Sequence, residues 1–151
     1  MHIERADLGD AGDILALIKR AFTPVAEQYG DPDLPPLAET LDQHREVYAR
    51  GIVLKAVEDG RIIGSVQGLP QTDGVCHVAR LVVDPASQGQ GIGRALAAEL
   101  ESHFPDATCF SLFTGDRSDA SIALYRSLGY DETRREFVNE KLTLVWMEKH
   151  R

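Results

Sequence analysis

The sequence predicts an α/β sandwich in which helices pack on a mixed sheet that contains one parallel βαβ crossover. Three observations carry this expectation. The apolar period switches along the chain between helical spacing and strand alternation. The strand candidates are interleaved with helices, and the stretch 75–114 reads as strand, glycine-rich turn, helix, strand, which is the order of a parallel crossover.

From the N-terminus, residues 3–6 form a short strand candidate. Asp10 then stands as the N-cap of a helix whose apolar residues Ile14, Leu17, Ile18, Ala21 and Phe22 fall at 3,1,3,1 spacing. Residues 23–36 hold four prolines and no period, which predicts a long loop suited to a lid or to substrate contact. A second helix is expected over 37–50, with Leu37, Leu41, Val47 and Tyr48 on one face and Gly51 as its stop. The period then changes. Residues 52–58 and 61–69 are rich in β-branched side chains and are joined by Asp59-Gly60, a strong hairpin signal. Residues 75–83 form a third long strand, ended by Asp84-Pro85 because proline has no N–H for the ladder. A helix to about 104, a strand over 107–114 and a helix over 118–128 stopped by Gly129 follow. Two strands, 130–138 and 141–149, close the chain around Asn139-Glu140.

A length of 151 residues suits one domain, 1–151, around one core. The longest apolar run is five residues, Ile14 to Ile18, against the ~20 that a membrane span needs. The first residues are too acidic for a targeting leader, so the cytoplasm is the expected location. Acidic residues number 24 and basic ones 16, a net charge of −8 that offers no broad positive field to nucleic acid or anionic lipid. Cys76 and Cys109 match no zinc spacing and read as reduced thiols. His2, His44, His103 and His150 are scattered, so no metal site is expected, and Glu27, Asp31 and Asp33 read as solvated loop acids that could meet an amine.

The chemistry concentrates in Gln88-Gly89-Gln90-Gly91-Ile92-Gly93-Arg94, which follows a strand and opens a helix. Unpaired N–H groups and the positive end of the helix dipole face outward there, a setting for phosphate, and glycines let the backbone come close to the oxygens. A P-loop is excluded because Gly93 is followed by Arg94-Ala95 rather than by lysine and a hydroxyl residue. A dinucleotide fingerprint is excluded because Asp84 to Gln88 intervene between strand and glycines, although Asp116 lies at a tolerable distance for a ribose partner.

The run Leu81-Val82-Val83-Asp84-Pro85, continued by the turn Gln88 to Gly93, resembles motif A of the GNAT superfamily of acyl-CoA N-acyltransferases, with its Q/R-x-x-G-x-G/A signature. The run Ala120-Ser121-Ile122-Ala123-Leu124-Tyr125-Arg126-Ser127-Leu128-Gly129-Tyr130 resembles motif B. With the element order, the resemblance covers nearly the whole chain. It implies a mixed, mostly antiparallel central sheet of about six to seven strands with helices on both faces and a parallel βαβ crossover. It also implies transfer of an acetyl group from acetyl-CoA, a co-substrate, to a primary amine, small or peptidic, by direct attack with both substrates bound and no metal. A coenzyme-sensing domain without chemistry and a protein N-terminal or lysine acetyltransferase are the alternatives.

By the same resemblance, the amides of Gln88, Gly89, Gln90, Gly91, Ile92 and Gly93, with Arg94 adjoining, would hold the coenzyme A pyrophosphate. Leu81, Val82 and Val83 would pair with the pantetheine arm as an added strand does, and an N–H on that stretch would stabilise the oxyanion. Ser118 stands where the family commonly has an asparagine that contacts pantetheine; its hydroxyl could do so or could cap its own helix. Tyr125 aligns with the tyrosine that protonates the departing thiolate. His77 falls near where some relatives carry a basic glutamate, and its even separation from Leu81 and Val83 predicts one shared sheet face. Cys76 should point away from His77, which leaves no nucleophile and base pair and no cysteine acyl-enzyme. The exposed closing strands are compatible with a homodimer.

Overall fold

The computed structural model describes residues 1–151. Its elements are β1 (His2–Arg5), α1 (Ala11–Tyr29), α2 (Pro35–Ala38), α3 (Leu41–Arg50), β2 (Ile52–Glu58), β3 (Arg61–Pro70), β4 (Val75–Val83), α4 (Ile92–Ser102), β5 (Cys109–Gly115), α5 (Asp119–Ser127), β6 (Asp131–Asn139) and β7 (Leu142–His150). They build one mixed sheet of seven strands in the order β1-β2-β3-β4-β5-β7-β6, in which β4 and β5 are the parallel pair. Asp59 and Gly60 both take positive φ, as the two-residue hairpin between β2 and β3 requires.

The helices cover both faces. Leu96 and Leu100 of α4 and Ile122, Tyr125 and Leu128 in and after α5 pack on one face, with Leu54, Val66, Cys76, Val78, Phe110, Val145 and Met147 from the sheet. On the other face Ile14, Leu17 and Ile18 of α1 and Val47 of α3 pack against Val53 and Val82. No helix is long and apolar enough to cross a membrane.

Five expectations near the N-terminus are corrected. Residues 23–36 are not one loop, because α1 continues through Pro24 to Tyr29. Pro24 deprives the Arg20 carbonyl of a helical donor, which typically costs about 3 kcal/mol. The apolar spacing nevertheless runs on from Phe22 to Val25, Ala26 and Tyr29, and Ala26 and Tyr29 are buried. Gly30, at φ 61°, then caps the helix, its N–H donating toward the Ala26 and Glu27 carbonyls. The second helix is also broken: Thr40 and Gln43 form a capping box that starts α3 at Leu41, separate from α2. On α3 it is His44 and Val47 that are buried, while Leu41 is exposed. Gly51 does not stop α3 by a left-handed turn; it is extended, and a Cβ there would collide with the Gly68 carbonyl oxygen. Asp10 holds the N-cap position without capping, its carboxylate accepting instead from the Asp7 N–H and lying 2.9 Å from Lys55 Nζ.

Two irregularities in β4 shape the middle of the sheet. Its parallel ladder with β5 lasts only from Val75↔Cys109 to His77↔Ser111, after which the strands part. Its antiparallel ladder with β3 slips between Ser65 and Gln67, where Arg80 takes a φ of 50°. A non-glycine residue in that region costs roughly 1–2 kcal/mol and marks a bulge. The bulge inverts the alternation of side chains. Cys76 and Val78 before it, and Leu81 and Val83 after it, all face α4 and α5, while Val82 packs against α1. His77 therefore lies on the opposite face from Leu81 and Val83, contrary to the parity expected from sequence.

Candidate active site

Where β4 and β5 part, a cavity of about 520 Å³ passes through the sheet. Its walls are Val78 to Leu81 of β4 and Phe113 to Gly115 of β5. From the α1 side it receives Phe22, Val25, Tyr29 and the segment Leu34 to Pro36; from the α5 side it receives Ser118, Ser121 and Tyr125. The spacing 118, 121, 125 places these three on one helical face. Asn139, Leu142 and Leu144 close the far wall.

Tyr125 and His77 both reach this cavity, from opposite faces of the sheet. Burial alone pushes the Tyr125 phenol up to about 12, and its ring meets Tyr130 edge-on, 5.8 Å between centroids. The phenol is thus a held proton at neutral pH. The His77 imidazole is lowered from 6.5, first by burial and then by the Arg80 charge. It stacks on Phe113 at 5.7 Å and lies 6.0 Å from the Trp146 ring, so it is neutral and oriented at pH 7. Cys76 faces the core, not the cavity, and burial pushes its thiol up to about 11, so the opposite pointing of Cys76 and His77 holds and the thiol is unreactive.

The glycine-rich turn sits beside the cavity rather than in its wall. Gly89 and Gly91 have φ of 79° and 80°, a region that other residues enter at a cost, and Gly91 is the N-cap of α4. Gly91 thereby exposes the first N–H groups of an eleven-residue helix, those of Ile92, Gly93 and Arg94. Gly93 is a different case, since a Cβ there would lie 3.7 Å from both Val83 and Leu124, an ordinary contact. Val83 and Leu124 flank Gly93 at the start of α4, while Leu81 and Tyr125, on the same strand and helix as these two, line the cavity. Arg94 Nη2 donates to Ser127 Oγ at 2.8 Å, which pins α4 to α5 across this passage. Gln88 Nε2 reaches back to the Val83 carbonyl at 3.4 Å, and Gln90 is exposed in the turn.

Ser118 does not cap its helix. Its Oγ lies 2.9 Å from the Tyr29 hydroxyl, which also accepts from the Arg117 N–H at 2.9 Å. Tyr29 is thereby fixed in the cavity wall, with the Arg117 guanidinium 4.4 Å above its ring and Gly115 leaving room that any Cβ would fill. The signal for Tyr29 is present in the sequence, since the 3,4 spacing of α1 extends to it. Arg80, by contrast, gives no such signal. Its Nε lies 3.8 Å from Glu39 Oε2, which is also 4.0 Å from His44 Nδ1, and none of these three buried atoms has a hydrogen bond. On its other side His44 Nε2 pairs with the Tyr48 hydroxyl at 2.9 Å. This buried cluster holds the Arg80 side chain under α3, and with it the bulge that faces the cavity. Asp31 and Asp33 stand in the cavity lining, whereas Glu27 does not.

Comparison with known proteins finds similarity to acetyltransferases in sequence and in fold. The model of the acetyltransferase (GNAT) family matches residues 13–130. Glucosamine 6-phosphate N-acetyltransferase of Trypanosoma brucei brucei is 33% identical over 109 residues, covering 66% of this chain and 71% of that one. Among solved structures, the ribosomal-protein-S18-alanine N-acetyltransferase of Escherichia coli superposes with a TM-score of 0.82 at 18% identity, over 99% of this chain and 92% of that one. The PaiA N-acetyltransferase of Thermoplasma acidophilum, in complex with coenzyme A, gives a TM-score of 0.82 at 15% identity with both chains fully covered.

Proposed function

Because the chain belongs to the GNAT acetyltransferase family and is an acyltransferase, we propose that it transfers the acetyl group of acetyl-CoA to a primary amine by direct attack, both substrates being bound at once. The observation that carries this reading is a cavity running through the parted sheet with a phenol from one face and an imidazole from the other. The amides of Gln88 to Gly93 and the Arg94 side chain would take the pyrophosphate, and the pantetheine arm would continue along Leu81, Val82 and Val83 as the missing partner of β4. Ser118, bonded to Tyr29, is left as a wall residue whose hydroxyl has capacity for one further bond to the arm.

In the reaction the amine nitrogen attacks the thioester carbon while its proton passes to His77, whose lowered affinity for protons keeps it free to receive one at pH 7. Main-chain N–H groups at the Arg80 bulge would hold the oxyanion. The C–S bond then breaks and the sulfur takes the Tyr125 proton. A phenol near 12 is a poor donor to a thiolate in water, but the same dry surroundings raise thiols too. Burial acts the same way on the protein's own core thiol, pushing Cys76 up to about 11.

The acceptor side carries more negative than positive charge. Arg80 is the one lysine or arginine in the cavity lining, and Glu39 already lies 3.8 Å from it, while Asp31 and Asp33 are carboxylates. This favours an amine without a phosphate, unlike the glucosamine 6-phosphate in the name of the trypanosome relative. The test is thermal unfolding with acetyl-CoA, NAD and ATP in parallel. Acetyl-CoA at ~100 times its Kd should add about 2.7 kcal/mol and raise Tm, and the other two should not. No shift with saturating acetyl-CoA would refute the assignment.

A further inference from the structure

Cys109, far in sequence from Glu148 and His150, meets them at the end of the sheet away from the cavity. Cys109 opens β5 and stands directly opposite His150 on β7, and Glu148 lies two residues before His150. Cross-strand partners and i,i+2 neighbours leave the same face of a sheet, so the three side chains share one face. Their sulfur, oxygen and nitrogen atoms all lie within 4.8 Å of one another. His150 Nε2 and Glu148 Oε2 are 3.3 Å apart. Two ligands on one tetrahedral zinc, at bonds of about 2.0–2.3 Å, stand roughly 3.3–3.8 Å apart, so only side-chain adjustment separates this trio from a coordination geometry.

The backbone beneath is paired on both sides. Cys109 is flanked by Val75 on β4 and His150 on β7, and the next residue, Phe110, is fully buried in the core. The Cys109 sulfur makes one long contact, 3.8 Å to the Phe110 carbonyl, and burial together with the Glu148 charge pushes its thiol up. A cation between the two groups would reverse that repulsion. A set of one sulfur, one nitrogen and one oxygen suits a borderline ion rather than magnesium or calcium, which take oxygen ligands.

We propose that Cys109, Glu148 and His150 bind a divalent transition-metal ion of the zinc class, with water as the fourth ligand. On binding, the Cys109 S–H bond gives way to a sulfur–metal bond and the proton passes to the buffer, with no change of oxidation state. The ion ties the end of β7 to the start of β5, where the parallel ladder with β4 begins. Its binding does not depend on the acetyl-transfer chemistry.

The experiment titrates the full chain, reduced and freed of metal by chelator, with cobalt(II) read by absorbance and with zinc read by calorimetry. The expected result is a near-ultraviolet sulfur-to-cobalt band at one ion per chain, bleached by zinc and indifferent to magnesium, with about one proton released. Cys109→Ser should abolish the band. His150→Ala, an exposed change that leaves the fold intact, should weaken zinc binding at least ~10-fold. Absence of the band, its survival in Cys109→Ser, or unchanged zinc affinity in His150→Ala would each overturn the site.

Discussion

Tyr125 shows how much one side chain depends on its surroundings. In the proposed reaction its hydroxyl is the proton source, and burial, which pushes it up to about 12, keeps that proton in place across the whole physiological range. Tyr125→Phe, which removes the proton and little else, should lower kcat by ~10² or more while the KM for acetyl-CoA stays near the parent value. The pH profile should be lopsided. His77 is lowered from 6.5, so kcat/KM should fall on the acid side only below the ordinary histidine range, and that limb should vanish in His77→Gln. Tyr125 should impose no alkaline limb below about pH 10. A rate profile with an alkaline limb near pH 8 that disappears in Tyr125→Phe would contradict the environment described for the phenol.

Among the elements, α4 and its glycine-rich entry carry the next expectation. Gly91 holds φ 80° at the N-cap with open space around it, so Gly91→Ala meets no clash but a strained backbone, costing roughly 1–2 kcal/mol. Gly93 has room and an ordinary helical place, so Gly93→Ala should leave stability within ~0.5 kcal/mol. Urea unfolding should separate the two, and acetyl-CoA affinity should fall in Gly91→Ala far more than in Gly93→Ala. The strands β2, β3 and β4 could be read from sequence within a residue and the crossover helix and β5 within two, because β-branched alternation and Asp59-Gly60 are local signals that tertiary contacts reinforce. The region before β2 could not. Pro24 masked a helical period that continues to Tyr29, and the Thr40 capping box that divides α2 from α3 competed with an apolar pattern running across it. The glycine-rich turn and its place at the start of α4 were legible, but the face of His77 was not, because parity fails at Arg80 and no local feature announces a left-handed arginine.

For the molecule as a whole, two partly or fully buried imidazoles set the response to acid. His44 and His77 both bind protons less readily folded than unfolded, where the value is near 6.5. The unfolded chain therefore takes up more protons as pH falls, and folding stability declines with it. The contribution of both groups is complete above about pH 7 and is lost as pH drops through 6.5 toward the lower folded values. Tm measured from pH 7.5 to 5 should fall, and His44→Gln should flatten that slope; a slope unchanged by the substitution would show that His44 does not titrate with folding. Long-range arrangements of this kind, like the gathering of Cys109, Glu148 and His150, are invisible to spacing rules because strand register, not sequence distance, decides who meets whom.

The parting of β4 from β5 has a consequence for how the molecule behaves among its own kind. Beyond His77, β4 carries main-chain groups that β5 does not take up, in effect a strand edge placed in the middle of a sheet. An open edge is the most adhesive surface a β protein possesses and the usual seed of self-association. Here it borders a cavity screened by Phe22, Tyr29 and Leu34 on one side and by Tyr125 on the other. In the proposed function a slender arm with amide groups pairs with it. Unlike the outer edge β6, which is exposed along its length, this inner edge is kept indoors.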